Sequence, residues 1–205
     1  MEKQFMAGGD LMVVPVTTQG ATSVSVYFPG SEPWYDVADG ARYEAPSEMS
    51  AFAAPIDKIP VFQRGGSIVP RQMRLRRSSV AMATDPFTLV VAADSAGYAA
   101  GKLFLDEGDG YSYRKGHYAY MRYELAGGAL SSKPVPRVGD TPTYQAPNML
   151  ERVELMGMGV PKAVKIRHAG EERALEFTHV PATNRLVIRK PAVPMAAEWS
   201  IIIIS

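Results

Sequence analysis

Cysteine is absent from this 205-residue chain, which excludes disulfides, thiolate catalysis and cysteine-ligated zinc. The compartment stays open, because oxidising compartments also hold proteins without cysteine. An excess of either charge is missing too. Lysine and arginine total 22 against 21 acidic residues, a formal net charge of +1, so no global field draws the chain to nucleic acid or to an anionic membrane. No apolar run approaches the ~20 residues of a membrane-spanning helix; the tail Ile201 to Ile204 is far too short. No strong amphipathic helix and no internal repeat of fixed period stand out, which argues against a propeller or solenoid. Met1 to Phe5 lack the cationic start and apolar core of a signal peptide and lead almost directly into an apolar run, so the chain is expected to be cut from a longer one.

What is present reads as β structure. Hydrophobic residues make up 46% and charged residues 21%, near the averages for chains that fold. Sixteen prolines and 18 glycines punctuate short runs rich in Val, Ile, Leu, Tyr and Phe. Leu11 to Val16 suits a strand buried on both faces, and Ser23 to Phe28 alternates before stopping at Pro29-Gly30. Trp34 to Val37 is a short strand followed by an Asp39-Gly40 turn. The pair Gly65-Gly66 predicts a sharp bend where one strand hands over to the next.

The small, polar stretch from Arg76 to Pro86 predicts a module boundary. Beyond it, strands are expected at Phe87–Ala92, Gly101–Asp106, Tyr118–Leu125, Leu150–Met156, Ala163–Arg167, Ala174–Thr178, Arg185–Lys190 and Trp199–Ile204. Residues 126–148, rich in Gly, Pro, Ser and Thr, read as a long loop, and Gly159 to Lys162 as a hairpin turn. The expected fold class is all-β: two consecutive antiparallel β-sandwich domains, residues 1–82 and 83–205, with few or no helices.

The most site-like stretch is the turn from Leu105 to Tyr113, where Asp106, Asp109 and Tyr111 are candidate carbohydrate-binding residues. Adjacent Asp106 and Glu107 would point to opposite faces of a strand and cannot easily flank one glycosidic bond, and the spacing is not that of a calcium loop. A glycine-shaped turn whose Asp oxygens accept backbone amides is the preferred reading. Arg64, Arg71, Arg74, Arg76 and Arg77 form a dense basic cluster without the interleaved aromatics that stack bases, so arginines clamping carboxylates at an interface are preferred to nucleic-acid binding. His117, His168 and His179 show no metal-binding spacing, Gly157-Met158-Gly159 is no phosphate loop, and no serine sits in a nucleophile elbow. No metal or other cofactor is expected. Trp34 and Trp199 could stack on sugars, but their apolar neighbours favour core packing.

Taken together, several segments resemble the family 31 glycoside hydrolases. Gln4 to Val16, QFMAGGDLMVVPV, is similar to the segment that closes their catalytic barrel and enters a proximal β-domain. Val26 to Gly30 with Trp34-Tyr35-Asp36, and IPVFQRGGSIVP from Ile59 to Pro70, resemble later strands of that domain. RQMRLRRSS, LFLDEGDG, Arg152 to Leu155, and the ending from Arg189 to Ile201 look like the eukaryotic glucosidase II α-subunit branch. The resemblance covers nearly the whole chain and departs mainly in residues 126–148, which carry no such motif.

The resemblance implies a parent α-glucosidase of the endoplasmic reticulum lumen that removes glucose from N-linked glycans by a retaining mechanism with two aspartates. Both aspartates would lie in barrel segments of the WxDMNE type. This chain contains none, so no catalytic residue is assigned and the chain alone is expected to be inactive. The implied partners are the parent's catalytic barrel, glycan through that parent, and a regulatory β subunit. Phe62, Arg64, Gly65, Gly66, Arg71, Arg74, Arg76 and Arg77 are the candidates for the contact with the barrel, in a scaffold role. The competing reading is a free-standing carbohydrate-binding or protein-interaction module.

Overall fold

A computed structural model describes residues 3–135 and 142–204. The short apolar runs become strands: β1 (Phe5–Ala7), β2 (Leu11–Val13), β3 (Ser23–Phe28), β4 (Trp34–Asp36), β5 (Arg42–Tyr43), β6 (Ser47–Ala53) and β7 (Val61–Arg64) build a small module. Its five-stranded antiparallel sheet runs β1-β2-β7-β4-β5, and the pair β3-β6 forms a second layer. Two-residue periodicity explains the packing, since alternate residues share a face. Val26 and Phe28 of β3 and Phe52 of β6 turn inward to meet Met12, Trp34 and Phe62. Phe28 stacks on Tyr43 at 4.9 Å and meets Phe62 edge-on at the same distance.

The larger module comprises β8 (Ser67–Arg71), β9 (Phe87–Ala92), β10 (Ala99–Leu105), β11 (Ala119–Ala126), β12 (Ala129–Pro134), β13 (Met149–Met156), β14 (Ala163–His168), β15 (Glu171–Ala174), β16 (Phe177–Val180), β17 (Arg185–Pro194) and β18 (Trp199–Ile204). They form one hydrogen-bonded ladder of 11 strands, β15-β14-β18-β12-β11-β10-β8-β9-β13-β17-β16. One core takes Val164, Ile166, Ile201 and Ile203 from one half of this ladder and Val153, Leu155, Leu186 and Ile188 from the other. The ladder therefore folds over itself into two facing layers, as in a sandwich. Tyr123 of β11 crosses between the layers to donate to the Met195 carbonyl at 3.0 Å.

The fold is all-β, and the only helical segments among the described residues are three short 3-10 turns. Several local expectations are corrected. Two pairings are parallel, β8 with β10 and β9 with β13. Leu11 to Val16 is a strand only to Val13, with Met12 and Val14 buried and their neighbours partly exposed, so it packs on one face. Gly159 to Lys162 is no hairpin turn, because β13 pairs with β9 and β17 while β14 pairs with β15 and β18. The expected strand Ala174–Thr178 is interrupted between β15 and β16. Of the expected loop 126–148, residues 129–134 are β12, joined to β11 by a Gly127-Gly128 hairpin; residues 136–141 lie outside the described residues. Strand β8, on the N-terminal side of the expected boundary, pairs inside the larger ladder.

Strand β9 is buried along its whole length. Phe87, Leu89 and Val91 face the large core, while Val90 and Ala92 face Tyr35 of the small module beside Met156. The Tyr35 hydroxyl donates to the Ala93 carbonyl at 2.8 Å, and burial pushes its pKa up to about 12. Gln63 Nε2 adds bonds to the carbonyls of Ser67 (3.2 Å) and Val90 (3.0 Å).

Candidate functional site

The seam between the modules opens into a cleft of about 600 Å³. Its floor is the bend between β7 and β8. Gly65 donates its amide to Pro33 at 2.7 Å and Gly66 donates to Ala92 at 2.8 Å. A Cβ on Gly65 would stand 2.9 Å from the Pro33 oxygen, and Gly66 has φ +87°. Both positions therefore require glycine: one for close backbone approach, the other for a left-handed turn.

Arg64, Glu32, Asp94 and Tyr98 bring polar groups to the cleft. Arg64 is half-exposed and its guanidinium lies 3.9 Å from Asp10. Glu32 accepts the Ser95 amide across the seam at 3.2 Å. Asp94 accepts the amides of Ala96 and Tyr98 at 2.9 and 2.8 Å. The carboxylates are thus engaged by backbone donors, and Arg64 is the cation positioned to receive an incoming carboxylate or carbonyl. Among the described residues no cluster of three His, Cys, Asp or Glu could hold a metal ion.

The remaining basic residues do not converge on one anion site. Arg71 ends β8 opposite Thr88. Arg74 pairs with Glu151 at 2.9 Å between two half-exposed side chains. Arg76 forks onto Asp85 with bonds of 2.9 and 2.7 Å, which holds the Asp85 carboxyl below the usual carboxylate range. Arg77 is exposed. Phe62 is fully buried in the small core and presents no surface of its own.

The acidic turn follows β10, which ends at Leu105, so Asp106 and Glu107 lie in the turn and not on opposite strand faces. Asp106 Oδ1 accepts the Gly108 amide at 2.9 Å. Glu107 accepts from the Ser112 hydroxyl and lies 3.8 Å from His117. Asp109 and Tyr111 are exposed. Around this turn the fold joins the sequence-predicted Tyr111 to aromatic rings that sequence reasoning missed. Phe104 faces Tyr120 across the β10–β11 register, Tyr118 lies beneath it, and Tyr113 and Tyr111 come from the following 3-10 turn and its entry. The alternation in β10 and β11 was the available signal. Both tryptophans are buried, Trp34 with its indole N–H on the Pro29 carbonyl at 2.9 Å.

The sheets and the cleft between them define the class of structure: two docked all-β modules of the β-sandwich kind. Residues 1–69 match the glycosyl hydrolase family 31 C-terminal domain. Mouse neutral alpha-glucosidase AB is 43% identical over 98% of this chain and 21% of its own length. A probable glucan 1,3-alpha-glucosidase of Arabidopsis thaliana is 34% identical, over 98% of this chain and 22% of its own. Among solved structures, the Glc1Man2-bound glucosidase II alpha subunit superposes with a TM-score of 0.88 at 28% identity, over 99% of this chain and 24% of that one. A chain of the ER glucosidase II heterodimeric complex, which consists of the catalytic subunit and the binding domain of the regulatory subunit, gives a TM-score of 0.89 at 29% identity, covering 99% of this chain and 23% of that one. Over residues 1–69 the chain matches that family's C-terminal domain, and along nearly its whole length it is similar to these α-glucosidases. It spans about a fifth of the length of the curated relatives it matches.

Proposed function

We propose that this chain is the non-catalytic C-terminal scaffold of a glucosidase II-type α-glucosidase that trims glucose from N-linked glycans in the endoplasmic reticulum lumen. Its proximal and distal parts brace the catalytic barrel, and a regulatory subunit joins the assembled enzyme. The observation that carries this reading is the seam cleft. Arg64 stands half-paired above a bend whose two glycines keep the backbone bare, at the N-terminal module that the family match covers. A rigid floor with one available cation suits a neighbouring domain's carboxylate or carbonyl, and a barrel site depends on such support to hold its loops within about 0.5 Å. The names of the relatives, a neutral alpha-glucosidase and an ER glucosidase II, support the activity and the compartment in this reading.

The purified 205-residue chain is expected to release no 4-nitrophenol from its α-glucoside. In the parent enzyme, Arg64→Glu is expected to lower the melting temperature and kcat together while leaving substrate binding near normal. Turnover by the chain itself, abolished by Asp106→Asn or Asp109→Asn, is the result that overturns the scaffold reading.

A further inference from the structure

The aromatic group beside the acidic turn is poorly explained by folding alone. Phe104 lies parallel to Tyr118, with ring centroids 5.3 Å apart and planes 20° apart. Tyr118 is fully buried, whereas Phe104 stays 40% exposed, so one face of Phe104 is covered and the opposite face looks outward. Tyr113 stands nearly perpendicular to it at 6.5 Å, and Tyr120 is tilted at 6.1 Å. Tyr111, 69% exposed, extends the group 6.3 Å beyond Tyr113 and carries the Arg114 guanidinium 4.6 Å over its ring. The surroundings are polar: Lys102 stands 5.9 Å over the Tyr120 ring, and the acidic turn that joins Phe104 to Tyr111 in the chain is tied to the 3-10 turn by Glu107, which accepts from the Ser112 hydroxyl.

We propose that this platform binds the pyranose rings of a neutral hexose oligosaccharide, with Phe104 as the floor and Tyr111, Tyr113 and Tyr120 at its edges. The C–H face of a pyranose is apolar and sits on an aromatic face, while its hydroxyls need donors and acceptors around the ring. A firmly backed, outward-facing ring loses little freedom when it is covered, which favours binding. Nucleic acid is disfavoured because Asp106, Glu107 and Asp109 would repel its phosphates. A protein partner is disfavoured because the exposed aliphatic anchors Met73, Leu75 and Val80 lie on a different segment. The mixed charges of these surroundings suit a neutral ligand.

This inference goes beyond the scaffold reading and stands apart from it, since it needs neither a barrel nor any hydrolysis. The test is calorimetric titration of the 205-residue chain with maltotetraose and with an α-linked mannotriose. Saturable binding is expected with a Kd between about 0.1 and 10 mM for at least one of them, weakened about tenfold by Phe104→Ala and about threefold by Tyr111→Ala. Tyr111→Ala should leave the melting temperature unchanged, so it reads binding even if Phe104→Ala perturbs the fold. No saturation up to about 20 mM of either sugar, or binding that survives both substitutions, overturns the platform.

Discussion

At the scale of single residues, Tyr35 decides how the two modules meet. Its ring is fully buried and its hydroxyl is a partner for the Ala93 carbonyl. Tyr35→Phe keeps the ring but leaves that carbonyl short of a donor, at a cost of about 1–3 kcal/mol. Gly157 is shaped by the same hydroxyl: a Cβ there would overlap Tyr35 Oη, and its φ is +82°. Gly157→Ala is therefore expected to destabilise by about 2–4 kcal/mol through both clash and backbone strain. In the Tyr35→Phe background part of that clash is gone, so the double variant should be more stable than the sum of the singles predicts, by about 0.5–2 kcal/mol. Urea unfolding of the four proteins measures it; strict additivity would mean that the hydroxyl does not set the glycine requirement.

At the scale of elements, the segment 72–86 between β8 and β9 has only the 3-10 turn Val80–Met82, yet it is anchored by side chains. Gln72 Nε2 donates to the Met82 and Asp85 carbonyls at 2.8 and 3.1 Å. Asn148 Nδ2 donates to Ala83 and Asp85, both at 2.8 Å, and Arg76 holds the Asp85 carboxylate. Arg76 lowers the Asp85 pKa in the folded state. Its stabilisation is thus present above the unfolded value of about 3.9 and is lost as pH falls through the folded value. The melting temperature should drop as pH falls below about 5, and Arg76→Gln should show a shallower drop over the same acid range; equal slopes would remove the pair from acid sensitivity. These anchors were not legible in the sequence, because Gln72 and Asn148 lie far from their acceptors along the chain. Strands with clear alternation were legible, β11 above all. Strand β6 was not, since Phe52 alone of its residues is buried, nor was β12, whose Ser, Lys and Pro read as loop although it pairs on both sides. The Gly65-Gly66 bend announced itself through its composition, whereas the Phe104 platform depends on the β10–β11 register and a 3-10 turn.

At the scale of the whole molecule, the question is whether the small module can hold its shape without the large one. Its core comprises Met12, Val14, Val26, Phe28, Trp34, Phe52 and Phe62, and a core in so short a stretch rarely supplies more than about 3–5 kcal/mol. Strand β7 runs into β8 through Gly65-Gly66, and β8 is locked between β9 and β10. Val90, Ala92 and Met156 close over Tyr35 from the other side. The small module therefore borrows stability across the seam, and the chain should unfold in one cooperative step. Each module contains one buried tryptophan, Trp34 in the small and Trp199 in the large, which makes the coupling measurable. In Trp34→Phe and Trp199→Phe variants, fluorescence follows one module at a time through thermal unfolding. The two curves should coincide in an otherwise wild-type background. With Tyr35→Ala added, a cavity opens at the seam, and the Trp34 signal should melt first, by about 4–8 °C for each kcal/mol lost by a domain of this size. If the curves still coincide after Tyr35→Ala, the coupling runs through the β7–β8 connection and not through the tyrosine.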